Sequence, residues 1–121
     1  MTTSRFRVAL TADFYDENGR LKYSDIGLDR LEAIPGIDVS RFPEHRPEVG
    51  SEQLSGVHCV RVLTPRVTAR SLSSAADLLA IARFGVGYDS VDISACTAAD
   101  VAVCITAGAV DHSVAEATVG W

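Results

Sequence analysis

Five apolar runs punctuate the chain at intervals of roughly 20–25 residues, and segments of helical character separate them. The runs are FRVALTA (6–12), IDVSRF (37–42), VHCVRVL (57–63), LLAIARF (78–84) and AVCITAG (102–108). Between and after them lie SDIGLDRLEAI (24–34), a short helical stretch near the end of PEHRPEVGSEQLSG, VTARSLSSA (67–75), DISACTAADV (92–101) and DHSVAEATVGW (111–121). Strands separated by helices cannot pair as hairpins. Such crossovers join parallel strands, and they do so right-handedly. The pattern predicts an α/β fold: a flavodoxin-like parallel five-stranded sheet in the order 2-1-3-4-5, with helices on both faces. IDVSRF alternates apolar and polar residues, which suits the edge position that this order gives the second strand. LLAIARF is nearly continuous and reads as buried on both faces.

The helix signals are local. Ile26, Leu28, Leu31 and Ile34 fall near helical spacing and stop at Pro35-Gly36. Asn18-Gly19 marks a turn. Thr68 suits the cap of a short helix, and Ser113-Val-Ala-Glu116 has the form of a capping box. A helix opened at Ser113 should run about three turns. The sequence ends at Trp121, so the chain is read as the front piece of a longer protein.

Hydrophobic residues make up 47% of the chain and charged residues 22%, a globular rather than a disordered balance. The net charge of −5, with no cluster of Lys or Arg, argues against a nucleic-acid partner. No apolar run approaches the roughly 18 residues of a membrane span. The start, MTTSRFRVAL, lacks the features of a secretion signal, so a cytoplasmic location is expected. Cys59, Cys96 and Cys104 are odd in number and far apart, and are expected to be buried, reduced thiols. His112 and Glu116 share a helix face, but two ligands make a poor metal site and none is expected.

In an open α/β sheet, ligands bind beyond the carboxyl ends of the strands. The candidate loops are therefore 12–23, 43–47, 63–67, 85–91 and 107–112. The best of them is ARFGVGYDSVD (82–92). Gly85 and Gly87 can take positive φ and lack Cβ atoms, so successive N–H groups there can form a nest for a carboxylate or a phosphate. As a dinucleotide fingerprint the loop fails on three counts. Ser90 stands in place of the third glycine, the helix begins only around Asp92, and the next strand ends without a ribose-binding acid. Two readings stay open at this level: an anion site, or a turn that needs flexible glycines. Asp89 and Asp92 lie where acids favour a helix N-terminus.

Other uses of the fold fit poorly. TADFYDENG, after the first strand, is acidic and would repel a flavin phosphate, and VRVLTP offers no phosphoacceptor aspartate. There is no G-x-S-x-G nucleophile elbow.

From residue 57 onward the chain resembles the D-isomer-specific 2-hydroxyacid dehydrogenases, the family that includes phosphoglycerate and formate dehydrogenases. The resemblance lies in VTARSL, then LLAIARFGVGYDSVDISACTAADVAVCIT, then SVAEAT, in that order and spacing. Residues 1–56 match only in their β-α-β pattern. The resemblance implies that residues 1–110 form the N-terminal part of a substrate-binding domain. Residues 111–121 would begin the crossover helix into an NAD-binding domain. It implies a parent enzyme that interconverts a D-2-hydroxy acid and a 2-keto acid by hydride transfer with NAD or NADP, and acts as a homodimer. It assigns the substrate carboxylate to the amides of Val86 and Gly87, with Val86 also approaching the nicotinamide. No catalytic side chain of the family has a counterpart in this chain.

The phosphoglycerate-type members carry an arginine near the end of the third strand. Val62 stands there in this chain, with Arg61 one residue away and so facing the other side. That puts a phosphorylated substrate in doubt and leaves Arg66 as a candidate anion contact. The alternative function is a free-standing flavodoxin-like module that binds a small ligand or a protein partner. The two part on folding: a free-standing module should melt cooperatively by itself, whereas molten behaviour, with ANS binding and no near-UV CD, favours the fragment. As a fragment, the purified chain should also oxidise no NADH with glyoxylate, pyruvate or hydroxypyruvate, and turnover would overturn that reading.

Overall fold

The computed structural model describes residues 5–121. Its strands are β1 (Phe6–Leu10), β2 (Ile37–Arg41), β3 (Cys59–Val62), β4 (Ala80–Arg83) and β5 (Ala102–Cys104). They form one sheet in the order β2-β1-β3-β4-β5, and every neighbouring pair is parallel, so the expected topology holds. The helices are α1 (Leu28–Glu32), α2 (Ala69–Leu72), α3 (Ile93–Ala98) and α4 (Asp111–Gly120). Single 3-10 turns occupy Ala12–Phe14 and Ser51–Leu54.

Alternation along the strands sorts side chains to two faces. Ala9, Val60, Val62 and Ile81 point one way and pack with Leu54, Val67, Leu78, Val91 and Cys96, under α2 and α3. Leu10 points the other way and packs with Phe14 and Ile26, joined by Leu28 of α1. Helices therefore serve both faces. The expectation that 78–84 is buried on both sides is corrected: Ile81 is fully buried, but Leu79 is 56% exposed. Opposite the core, this strand offers only Ala80 and Ala82, which are half-buried. Side chains that small bring little apolar area to cover.

Two helix boundaries move, each for a local reason. The helix expected over 24–34 shrinks to Leu28–Glu32. The Asp25 carboxylate accepts the Gly27 N–H at 2.8 Å and turns the chain, and Gly27 caps the helix at φ 76°. Ile26 is nonetheless buried. The capping box expected at Ser113 does not form. Thr106 O accepts the Ala109 N–H at 3.0 Å, and Val110 O accepts the Val114 N–H at 2.9 Å, so the helix opens at Asp111. Ser113 thus lies inside the first turn. Glu116 instead meets His112 one turn back, at 3.1 Å. Thr68 does cap α2, its hydroxyl accepting the Ser71 N–H. No helix among the described residues is long and apolar enough to cross a membrane.

The difference in burial between Ile81 and Leu79, which precedes β4, is measurable. Ile81→Ala should destabilise the chain by about 2–5 kcal/mol in urea unfolding, and Leu79→Ala by less than about 0.5 kcal/mol.

Candidate functional site

Because all five strands run parallel, their carboxyl ends meet along one edge. Outside the sheet, the loops on that edge are stitched together. Arg66 N donates to Pro47 O at 2.8 Å, and Val49 N to Arg66 O at 2.9 Å. Val67 N donates to Ser90 O at 2.9 Å, and Asp92 N to Val67 O at 2.9 Å. The glycine loop is thus tied at its far end to the loop after β3. At its near end, Phe84 N donates to Val62 O at 2.9 Å.

Gly85 N donates to Arg83 O at 3.0 Å, and Gly85 O accepts the Thr106 N–H at 3.0 Å. Among the described residues, the N–H groups of Val86 and Gly87 have no acceptor. Those of Tyr88, Asp89 and Ser90 have none either, and a run of unpaired donors at the carboxyl end of a strand suits a carboxylate oxygen. Val86 is half-buried and Gly87 exposed. The two glycines serve different ends. Gly85 has φ +155°, and a Cβ there would stand 2.8 Å from Nη1 of Arg83. Gly87, which could take positive φ, does not, and a Cβ there would meet nothing within 4 Å.

Arg83 was not singled out in the sequence. It ends β4 in register with Val62, on the same face. Its Nη1 donates to Phe84 O at 2.6 Å, while its Nε is buried without a partner among the described residues. A buried donor left unpaired costs about 1–3 kcal/mol. The signal was available: an arginine ending an otherwise apolar strand, two residues before a glycine.

A second polar cluster joins the loops after β1 and β3. Thr11 Oγ1 donates to Asp13 Oδ1 at 2.6 Å and accepts the Leu63 N–H at 3.2 Å. Thr64 donates to Asp13 Oδ2 from its amide, at 3.0 Å, and from its hydroxyl. Burial alone would push the Asp13 carboxyl up. The hydrogen bonds from Thr11 and Thr64 outweigh burial and hold it below its ordinary value of 3.8.

Arg61 and Val62 lie on opposite sides of β3, as alternation predicts. Val62 is fully buried. Arg61 reaches the other layer, where its Nη1 donates to Ile26 O at 2.7 Å. Its Cζ lies 5.8 Å from the Phe14 ring and 5.6 Å from the Phe84 ring. Arg66 stands near Glu48, whose carboxyl is held down chiefly by the Thr68 hydroxyl, with Arg70 and Arg66 adding to it. Asp92 caps α3, accepting the Ala95 N–H at 2.9 Å, and Asp89 is exposed.

The three cysteines are free. Cys96 is buried and Cys59 half-buried, and burial raises both thiols. Cys104, expected to be buried, is exposed: β5 is a three-residue edge strand with little packed beside it. Among the described residues, no three His, Cys, Asp or Glu side chains come together as metal ligands would.

The Asp13 cluster makes stability depend on pH. Its contribution is fully present above the unfolded value near 3.8 and is lost as pH falls through the lower folded value. Asp13→Asn should be less stable than wild type in urea at neutral pH. The gap should narrow between about pH 4 and pH 2, and a constant gap would exclude Asp13 as the titrating group.

Residues 14–119 match the family described as D-isomer specific 2-hydroxyacid dehydrogenase, catalytic domain. No curated protein is a significant sequence match. Three solved structures are similar in fold. The PH0520 protein from Pyrococcus horikoshii OT3 is 26% identical over 96% of this chain and 32% of its own, at TM-score 0.66. An NAD+-bound 3-phosphoglycerate dehydrogenase of Entamoeba histolytica is 22% identical over 97% of this chain and 38% of its own, at TM-score 0.76. A glyoxylate reductase from Paecilomyes thermophila is 20% identical over 98% of this chain and 37% of its own, at TM-score 0.68. The chain thus spans about a third of the length of these structures.

Proposed function

The chain belongs to the D-isomer specific 2-hydroxyacid dehydrogenase family, and on that premise we propose that it is the substrate-side part of an NAD(P)-dependent oxidoreductase. The parent enzyme interconverts a D-2-hydroxy acid and a 2-keto acid by hydride transfer. Residues 1–110 form the substrate-binding part, and 111–121 begin the helix that leads to the nucleotide domain. The observation that supports this reading is the run of N–H groups from Val86 to Ser90, opened by Val86 and Gly87, that have no acceptor among the described residues. They suit the carboxylate common to both acids. Arg83, with its Nε unpaired beside Gly85, adds positive charge at the same loop.

This chain's residues do not fit the pyrophosphate of a dinucleotide. A pyrophosphate cradle needs a helix that starts within the glycine motif. Here α3 begins only at Ile93, and the Asp92 carboxylate already occupies its N-terminus. The cofactor is therefore assigned mainly to the nucleotide domain, with Val86 as the contact this chain offers toward the nicotinamide. The chain's own work is to bind and orient the acid. No residue within it is assigned a proton-transfer role.

The substrate's far end is also constrained. Val62, where phosphoglycerate-type members carry arginine, is fully buried and cannot reach a phosphate. Arg83, its register partner on β4, is the cation on that face.

Gly87 offers a clean test, since its Cβ space is empty and its φ is not positive. Pyruvate titrated into the isotope-labelled chain should shift the amide resonances of Val86 and Gly87. Gly87→Val should leave the melting temperature unchanged and weaken pyruvate binding about tenfold. Shifts confined to other loops would return 85–91 to being a turn.

A further inference from the structure

Arg61 is a cation placed where the fold has little use for one. It sits in β3 between Leu10 of β1 and Ala82 of β4, in the layer that holds Leu10, Phe14 and Ile26. The chain has 16 acidic residues, yet among the described residues the arginines that pair with carboxylates are Arg5, Arg46 and Arg70. Arg61 faces two rings and a carbonyl instead. For stability alone, an apolar residue of similar volume commonly does as well as a half-buried charge or better. A role in stability therefore leaves the arginine unexplained.

Its contacts converge on Phe84, the residue before the glycine loop. The Phe84 ring meets Phe14 edge-on at 5.3 Å and Tyr23 at 5.5 Å, with the Arg61 guanidinium 5.6 Å from its centroid. The Phe84 N–H is held by Val62 O and its carbonyl by Arg83. Arg61 also bonds Ile26 O, so the segment before α1 is fastened to the same point. Glycine gives the backbone its widest freedom, and this loop has two within three residues. The direction of the Val86 and Gly87 N–H groups therefore depends on the anchors at either end. The far anchor is the Val67–Ser90 bond; the near ones are the bond from Thr106 N–H to Gly85 O and, one residue earlier, Phe84.

We infer that Arg61 is a positioning residue. Its guanidinium clamps the Phe84 ring and so aims the Val86 and Gly87 amides at the ligand carboxylate. The inference rests on the carboxylate reading of that loop.

The test uses Arg61→Leu, Arg61→Lys and Phe84→Leu in the 121-residue chain, with pyruvate as the probe. Three quantities are read: melting temperature, pyruvate affinity, and the backbone order parameters of Val86 and Gly87 without ligand. Arg61→Leu should hold or raise the melting temperature, lower both order parameters and weaken pyruvate binding about fivefold. Phe84→Leu should loosen the loop similarly, and the double variant should add little to either change. Arg61→Lys keeps the charge without the planar face and should fall between wild type and Arg61→Leu. It also carries the test if Arg61→Leu does not fold. Val39→Ala, in the same layer and away from the loop, should lower stability without changing affinity. Unchanged order and affinity in Arg61→Leu would overturn the inference. So would an affinity loss matched by a loss of stability, which marks a merely structural role. If wild type binds no pyruvate, the carboxylate reading fails, and the order parameters still decide whether Arg61 holds the loop.

Discussion

Parallel strands cannot be joined by tight turns, so every connection in this chain must travel back across a sheet face before the next strand begins. That constraint separates the two ends of the sheet. The returning segments supply α1 on one face and α2 and α3 on the other, and with them the two cores around Leu10 and Val60. The carboxyl ends are left to gather loops that send a few side chains, Phe14, Val67 and Val91 among them, into those cores and otherwise lie against each other. Their backbone groups must find partners there. Most do, in the short ladder that links residues 47–49, 66–67 and 90–92. The amides of Val86 and Gly87 are the donors of the glycine motif left over from that pairing.

The topology was legible because it depends on a coarse property, the recurrence of apolar runs. The boundaries were not, because they depend on single side chains. Ile26, Leu28, Leu31 and Ile34 have helical spacing, yet one carboxylate, Asp25, turns the chain and delays the helix to Leu28. Ser113 and Glu116 have capping-box spacing, yet the turn at 106–110 starts the helix earlier. Cys104 sits in an apolar run, and only its place at the sheet edge makes it exposed. The loop was legible because glycine spacing is visible in the letters. Its surroundings were not. Asp13 and Thr64 are 51 residues apart, and neither shows alone that they meet. Arg83 is adjacent in sequence, but its relation to Gly85 rests on which way its side chain folds back.

Charge is distributed at this edge with some economy. The chain is acidic overall, and a carboxylate ligand would meet repulsion if its acids faced the loop. Three nearby acids are already engaged, while Asp89 in the loop itself is exposed. Asp13 is enclosed by Thr11 and Thr64, Asp92 is turned onto the α3 N-terminus, and Glu48 is paired with Arg70. Arg61 and Arg83, by contrast, have no carboxylate partner among the described residues.

The two glycines then separate a fold requirement from a ligand requirement. Gly85 is explained within the chain: its φ of +155° is one that other residues rarely adopt. Gly87 has no such explanation, since its conformation suits any residue and its Cβ space is empty. A glycine exposed at a loop tip lowers stability through the freedom it gives the unfolded chain. What it offers in return is a bare amide that another molecule can approach closely. On the proposed reading, the empty space beside Gly87 would take the ligand carboxylate, with the N–H of its neighbour Val86 as a second donor.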